Sequence, residues 1–304
     1  MIKLHIVGHL TIDYLVDASS GAVEIHPQGA ALGAAIGALL AGGNPVVHAI
    51  AGSDYPRDVI RGLSELGADV DGVEWIDSPS LRFWLLDEGH DIISDHPFEG
   101  TDFATYNPKV NERFLRAVRP GDWVHLCPLP LRFQSRIASL TAAAGARVSV
   151  DPQPWRYFDA RDATAEFVDL CRHTDALLMS RQDFPKELQS PRVFAEWCHA
   201  RGVKYVVAKL DTDGSEVHTA GTTLRIPTQP LRSIGTRAAG AGDSFAGAFI
   251  SSLAQRVPLS RAAARATSVA LSMIESNGMM HALSTDPGAL AQMTDLLDRG
   301  ATCA

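Results

Sequence analysis

Six short runs of apolar residues, "KLHIVG" (3–8), "PVVHAIAG" (45–52), "DWVHLC" (122–127), "RVSVD" (147–151), "DALLMS" (175–180) and "KYVVAKL" (204–210), punctuate the chain. Most are apolar on consecutive positions. A half-solvated strand alternates apolar and polar residues, so consecutive runs mark strands covered on both faces, as in a parallel sheet between two helix layers. Helical spacing fills the intervals, at about 30–41, 56–66, 108–118, 131–144, 161–172 and 191–201. Repetition of strand then helix requires right-handed crossovers. The sequence therefore predicts an α/β fold, a three-layer α/β/α sandwich with a mostly parallel central sheet. With 304 residues, 46% of them hydrophobic, one domain spanning 1–304 can fill such a core.

Two segments break this rhythm. Residues 11–28, "TIDYLVDASSGAVEIHPQ", and 74–98, "EWIDSPSLRFWLLDEGHDIISDHPF", have hairpin grammar around "ASSG" and "DEGH" turns. They leave the sheet after the first strand and the second helix, and are expected to meet as a small β-sheet lid. In the last third, "SEVHTAGTTLRIP" reads as two antiparallel strands, followed by helices at about 242–255, 259–276 and 287–298.

Several function classes are disfavoured. A formal net charge of −8 with no run of like charges lacks the basic footprint of nucleic-acid binding. Cys127, Cys171, Cys198 and Cys303 have neither CxxC nor zinc-finger spacing, which suits reduced thiols in the cytoplasm. His5, His9, His26, His48, His90 and His96 lack metal-ligand spacing, although His90 and His96 would touch a substrate beneath a closing lid. The small-apolar stretch "AALGAAIGALLAGG" is too short to span a bilayer, and the first residues carry no cleavage-site pattern.

The chemistry concentrates in "RAAGAGDSFAGAF" (237–249), where a glycine-rich turn opens an apolar helix. Phe245, Ala248, Phe249 and Leu253 fall at helical spacing, so the helix begins near Gly242 or Asp243. A helix N-terminus presents backbone N–H groups without intrahelical acceptors and carries partial positive charge. Gly240, Ala241 and Gly242 would let a phosphate approach those groups closely. Asp243 then has two readings: a favoured N-terminal capping residue, or a general base for a hydroxyl that attacks the phosphate. The turn is neither a Walker loop nor a dinucleotide fingerprint. Asp151, with Gln153 and Arg156 behind it, ends a strand where open α/β sheets bind ligands; Arg156 would either neutralise phosphate or cap a surface turn.

At these residues the chain resembles the ribokinase-like (phosphofructokinase B type) carbohydrate and nucleoside kinases. Gly240, Ala241, Gly242, Asp243, Ser244 and Phe245 match the family's G-A-G-D-x-F signature. The resemblance implies Asp243 as base, Gly240, Ala241 and Gly242 as anion hole, and Asp13 of "IVGHLTID" as a ligand of acceptor hydroxyls. It extends through "AGSD" (51–54) and "VVAKLDTDGSEV", which places Lys209, Asp211 and Gly214 beneath the nucleotide. The two hairpin segments match the family's substrate lid. Departures accompany the match. The usual D-T-T reads Arg237-Ala238-Ala239, and N-x-x-E reads Ser180-Arg181-Gln182-Asp183, which leaves Asp183 to order a metal through water. Asp211 replaces a turn glycine. In "PQGAALGAA", Gln28 precedes Gly29 and Gly33 replaces an Asn or Tyr, which implies an acceptor different from that of ribokinase.

The implied activity is transfer of the γ-phosphoryl group of ATP, with Mg2+ and a monovalent cation such as K+ as candidate cofactors, to a hydroxyl of a sugar or an inositol-like polyol. Alternatives are a nucleoside kinase of the same fold and a non-catalytic sugar or nucleotide sensor. Trp75, Phe83 and Trp84 would serve either as packing within the lid or as a slot for a ring. Met279, Met280 and His281, after a helix expected to end at Asn277-Gly278, are candidate walls near an adenine. An exposed lid edge is a candidate homodimer contact.

Overall fold

The computed structural model describes residues 2–87, 92–152, 160–183, 190–230, 240–276 and 279–303. Its strands are β1 (Leu4–Val7), β2 (Thr11–Asp17), β3 (Val23–Gln28), β4 (Val46–Ala51), β5 (Asp69–Trp75), β6 (Leu81–Asp87), β7 (Ile92–Pro97), β8 (Trp123–Leu126), β9 (Arg147–Val150), β10 (Ala176–Ser180), β11 (Tyr205–Lys209), β12 (Ser215–His218), β13 (Thr223–Ile226) and β14 (Thr302–Cys303). The helices are α1 (Ala30–Leu40), α2 (Arg57–Glu65), α3 (Phe103–Tyr106), α4 (Glu112–Ala117), α5 (Leu131–Ala143), α6 (Ala160–Arg172), α7 (Pro191–His199), α8 (Ala241–Ala254), α9 (Leu259–Glu275), α10 (Met279–Ala282) and α11 (Pro287–Arg299).

Ten strands form one sheet in the order β14-β13-β12-β11-β10-β9-β8-β1-β4-β5. From β11 to β5 every pairing is parallel, and β12, β13 and β14 add an antiparallel edge. Neighbouring side chains on a strand point to opposite faces. Leu4 and Ile6 accordingly enter a core with α1, α8 and α9, whereas Val7 enters a second core with Phe114, Ile137, Phe167 and Phe194. β10 divides in the same way, Leu178 on one side and Leu177 and Met179 on the other. Two cores, one on each face, explain why the strand sequences are apolar on consecutive residues.

β2, β3, β6 and β7 form a separate four-stranded sheet in the order β3-β2-β6-β7. β2 pairs with β6 in parallel, so segments distant in sequence are joined where the hairpin grammar expects them to meet. The second segment is shorter than expected. Trp75, read with the small sheet, instead ends β5 in the main sheet opposite Ala51, with the Arg57 guanidinium 4.0 Å from its ring centroid. β5 escaped notice because "DVDGVEW" is a polar edge strand, protected by charge rather than burial. The helix expected at 108–118 is also shorter. Pro108 lacks an N–H, and α4 starts only where the Asn111 side chain accepts from Phe114 N.

α1 and α8 lie along one another through small residues, and a side-chain carbon on Gly247 would collide with the Ala34 carbonyl. That contact sets the position of the N-terminus of α8.

Candidate active site

Gly240 adopts φ 84°, the left-handed conformation that glycine takes without strain, and serves as N-cap of α8. Ser244 N donates to Gly240 O at 2.9 Å. The preceding N–H groups of this first turn have no intrahelical acceptor, which is the general property of a helix start. A Cβ on Gly242 would lie 3.2 Å from Lys209 Nζ, so glycine keeps this turn open to a cation from β11.

The Lys209 ammonium donates to Asp151 Oδ2 at 2.6 Å, with the two side chains 12% and 8% exposed. Burial works against the lysine's charge, yet Asp151, Asp243 and Asp183 hold its pKa above the ordinary value. Burial pushes the Asp151 carboxyl up, against the pull of Lys209. Gln134 fixes the strand ends beneath, its Nε2 donating to Cys127 O at 2.7 Å and to Asp151 O at 2.9 Å. The Cys127 thiol is raised by burial and by the charges of Asp243 and Asp151, which keeps it protonated. Gly8 packs against it; a Cβ there would stand 2.9 Å from Cys127 Sγ.

Asp243, half-buried in the first turn of α8, is pushed up to about 7 by desolvation and by the charge of Asp151, with Lys209 opposing. A carboxyl group tuned to that value can accept a proton at physiological pH. Gly33 of α1 faces it, and a Cβ at position 33 would lie 2.9 Å from Asp243 Cβ. The departure at Gly33 thus has a steric reason: α1 and α8 leave no room for a larger residue.

At the N-cap of α1, Gly29 has φ 117° and a Cβ there would lie 2.5 Å from His9 O. Ala31 N donates to that same oxygen at 3.1 Å. Asp13 on β2 is buried, and its register partners are His26 and Phe83. Burial, and after it the charge of Asp13, raises the Tyr55 phenol, whose hydroxyl donates to Gln28 O at 3.2 Å. Phe83 is 5.9 Å from Phe103 between ring centroids, and Phe103 is 6.4 Å from His9. His9 Nε2 lies 3.2 Å from Asn107 Oδ1, and burial lowers the His9 pKa to about 4, so the ring is neutral. Phe103 and Asn107 carried no motif in the sequence.

The remaining expected residues are dispersed. Asp183 closes a 3₁₀ turn after β10 and acts on Lys209 through its charge. Asp211 takes φ 53°, in the left-handed region that Asp, like glycine, can visit, and Gly214 packs where a side-chain carbon would strike Ile226 O. Asp54 of "AGSD" accepts from Ser80 N and Oγ at 2.6 and 2.7 Å and pairs with Arg82, anchoring β6. Met279 is buried against Gly240 and supports the turn from beneath, whereas His281 is exposed. Gln153, Arg156, His90, the 237–239 segment and the expected cap at 277–278 lie outside the described residues, as does the side chain of His96.

The model of the "pfkB family carbohydrate kinase" matches residues 1–286. A cytidine kinase of Thermococcus kodakarensis is 27% identical over 269 residues, covering 85% of this chain and 91% of that protein. An ATP-dependent ribose-1-phosphate kinase of Halopiger xanaduensis is 25% identical over 264 residues, covering 82% and 84%. Among solved structures, an E. coli ribokinase II candidate in complex with ATP and Mg2+ superimposes with a TM-score of 0.77 at 17% identity, over 97% of this chain and 100% of the other.

Proposed function

The chain belongs to the pfkB family of carbohydrate kinases, and from that premise we propose that Asp243 removes the proton of an acceptor hydroxyl as the γ-phosphoryl group of ATP is transferred to it. The observation that carries this reading is a half-buried carboxyl, pushed up to about 7, in the first turn of a helix whose other first-turn residues are Ala241 and Gly242. Gly240, Ala241 and Gly242 supply backbone N–H groups to the phosphoryl oxygens, and Lys209 supplies positive charge beside them. Lys209, Asp211 and Gly214 line the nucleotide side of the site.

Among the described residues no group of three or more His, Cys, Asp or Glu side chains could hold a metal ion. Mg2+ keeps water and phosphate ligands and needs only one or two carboxylates from the protein. Asp183 is the carboxylate we assign to it, through water. Mg2+ supplies charge neutralisation of the phosphates.

Asp13 and Gly29 hold the acceptor, and the β2-β3-β6-β7 sheet serves as a lid that excludes water. The acceptor is a sugar, an inositol-like polyol or a nucleoside. The neutral His9–Asn107 pair and the Phe83–Phe103 wall favour the nucleoside, because a planar base stacks on aromatic faces. The opposite face of the small sheet exposes Val23, Ile25 and Trp84 and is assigned to a second copy of the chain. The thiols of the described cysteines are unbridged, and no described helix is long and apolar enough to cross a membrane; we place the protein in the cytoplasm.

The test is ADP release with ATP and Mg2+ over pentoses, inositols, ribose 1-phosphate and nucleosides, with Asp243→Asn in parallel. Acceptor-dependent turnover that collapses in the variant supports the reading; turnover indifferent to Asp243 sinks it.

A further inference from the structure

Lys209 poses an electrostatic conflict. Its ammonium stands beside the anion-binding turn of α8, where a cation attracts phosphate, but it also acts on Asp243, where a nearby cation stabilises the carboxylate and makes it a poorer base. The charged and titratable groups around it come from three neighbouring strands and from α8: Asp151 after β9, Asp243 on α8, Asp183 after β10, His125 within β8 and Cys127 after it. His125 is neutral, its ring bonded to Ser149 Oγ at 2.9 Å and its pKa lowered to about 3 by burial and by Lys209. Cys127 is a neutral thiol. Asp151 makes the one direct ion pair with Lys209 that the described residues show, at 2.6 Å, on a backbone pinned by Gln134.

We propose that Asp151 is a positioning residue: it holds the Lys209 ammonium at the phosphate end of the site and offsets its charge there, so that one cation serves the phosphoryl group without weakening Asp243 as a base. This role differs from the acceptor contact that the strand-end position of Asp151 suggests. It rests on Asp243 as the base, the reading proposed above.

The test combines steady-state pH profiles with calorimetric binding of a non-hydrolysable ATP analogue, for the wild type and for Asp151→Asn, Asp151→Glu and Lys209→Met. In Asp151→Asn the uncompensated lysine should move the acid limb of kcat/KM down by about one pH unit or more. The same variant should lower kcat, leave the acceptor KM unchanged, and bind the analogue about tenfold tighter, the equivalent of one such unit. Asp151→Glu, which keeps the charge, should restore the wild-type limb. Lys209→Met should move the limb up and weaken the analogue. An acid limb that stays in place while the acceptor KM rises would overturn the proposal, as would analogue affinity that is unchanged in Asp151→Asn. If Asp151→Asn does not fold, Lys209→Met decides by the direction of its limb. A wild-type enzyme indifferent to Asp243→Asn would refute the base assignment instead, and the binding arm would still judge the Asp151–Lys209 relationship.

Discussion

Gly37 of α1 runs so close to the carbonyl of Ser244 in α8 that no side-chain carbon fits between them. The contact joins the helix that carries Gly29 and Gly33 to the helix that carries Asp243. Backbone-to-backbone packing therefore fixes the distance from Gly33 to Asp243. Gly37→Ala should cost about 1–3 kcal/mol, the range for overpacking a closed core. Gly221→Ala, with open space around it, should change stability by less than about 0.5 kcal/mol. Urea midpoints of the two variants decide, and equal midpoints would mean that the helices part at little cost.

Asp243 should impose an acid limb near pH 7 on kcat/KM, because only its ionised form accepts a proton and its pKa stands at about 7. Asp243→Asn should lower kcat by about 10²–10⁴. Stability moves the other way. A carboxyl whose folded pKa lies above its unfolded value binds protons more tightly in the native state, so its destabilising effect grows as pH rises from about 4 to about 7. Asp243→Asn should thus melt higher than the wild type at pH 8 and equal to it at pH 4. A variant less stable at pH 8 would contradict this.

Three histidines, His9 and His125 buried and His48 half-buried, predict acid sensitivity. Burial lowers His9 to about 4 and His48 and His125 to about 3, from the ordinary 6.5. Between those limits the unfolded chain binds protons that the folded chain refuses, so stability present above pH 6.5 is lost on acidification toward pH 3. Each contributes a slope of up to about 1.4 kcal/mol per pH unit. Chemical denaturation at several pH values should show the slope reduced by about one such increment in His125→Asn; an unchanged slope would show that His125 does not titrate on unfolding.

The turn from Asp211 to Gly214 should govern the donor alone. Gly214 has φ 87° and no room for a side chain beside Ile226 O. Gly214→Ala is expected to raise the KM for ATP with the acceptor KM unchanged. A rise confined to the acceptor would place the nucleotide elsewhere.

Phe103 tests the acceptor. Aromatic contacts are worth about 0.5–1.5 kcal/mol, so Phe103→Ala should raise the KM for nucleosides about 3–10-fold while leaving free ribose unaffected. An equal effect on both would assign the ring to packing of α3 against the small sheet.

The central sheet was legible in the sequence because burial on both faces writes itself locally, in consecutive apolar residues such as those of β10 and β11. The G-A-G-D string likewise marked the start of α8, since a helix needs a cap and an open turn within a few residues of one another. Strand β5 was hidden because an edge strand carries charge in place of that pattern. What only the tertiary structure decided are relationships with no local signature. Asp151 and Lys209 are 58 residues apart, and His9 and Asn107 are 98 apart. A carboxyl's base strength depends on which charges surround it and how much water is excluded. Neither quantity exists until strand ends from different parts of the chain are brought to one edge of the sheet, and so the sequence could name Asp243 but not set its proton affinity.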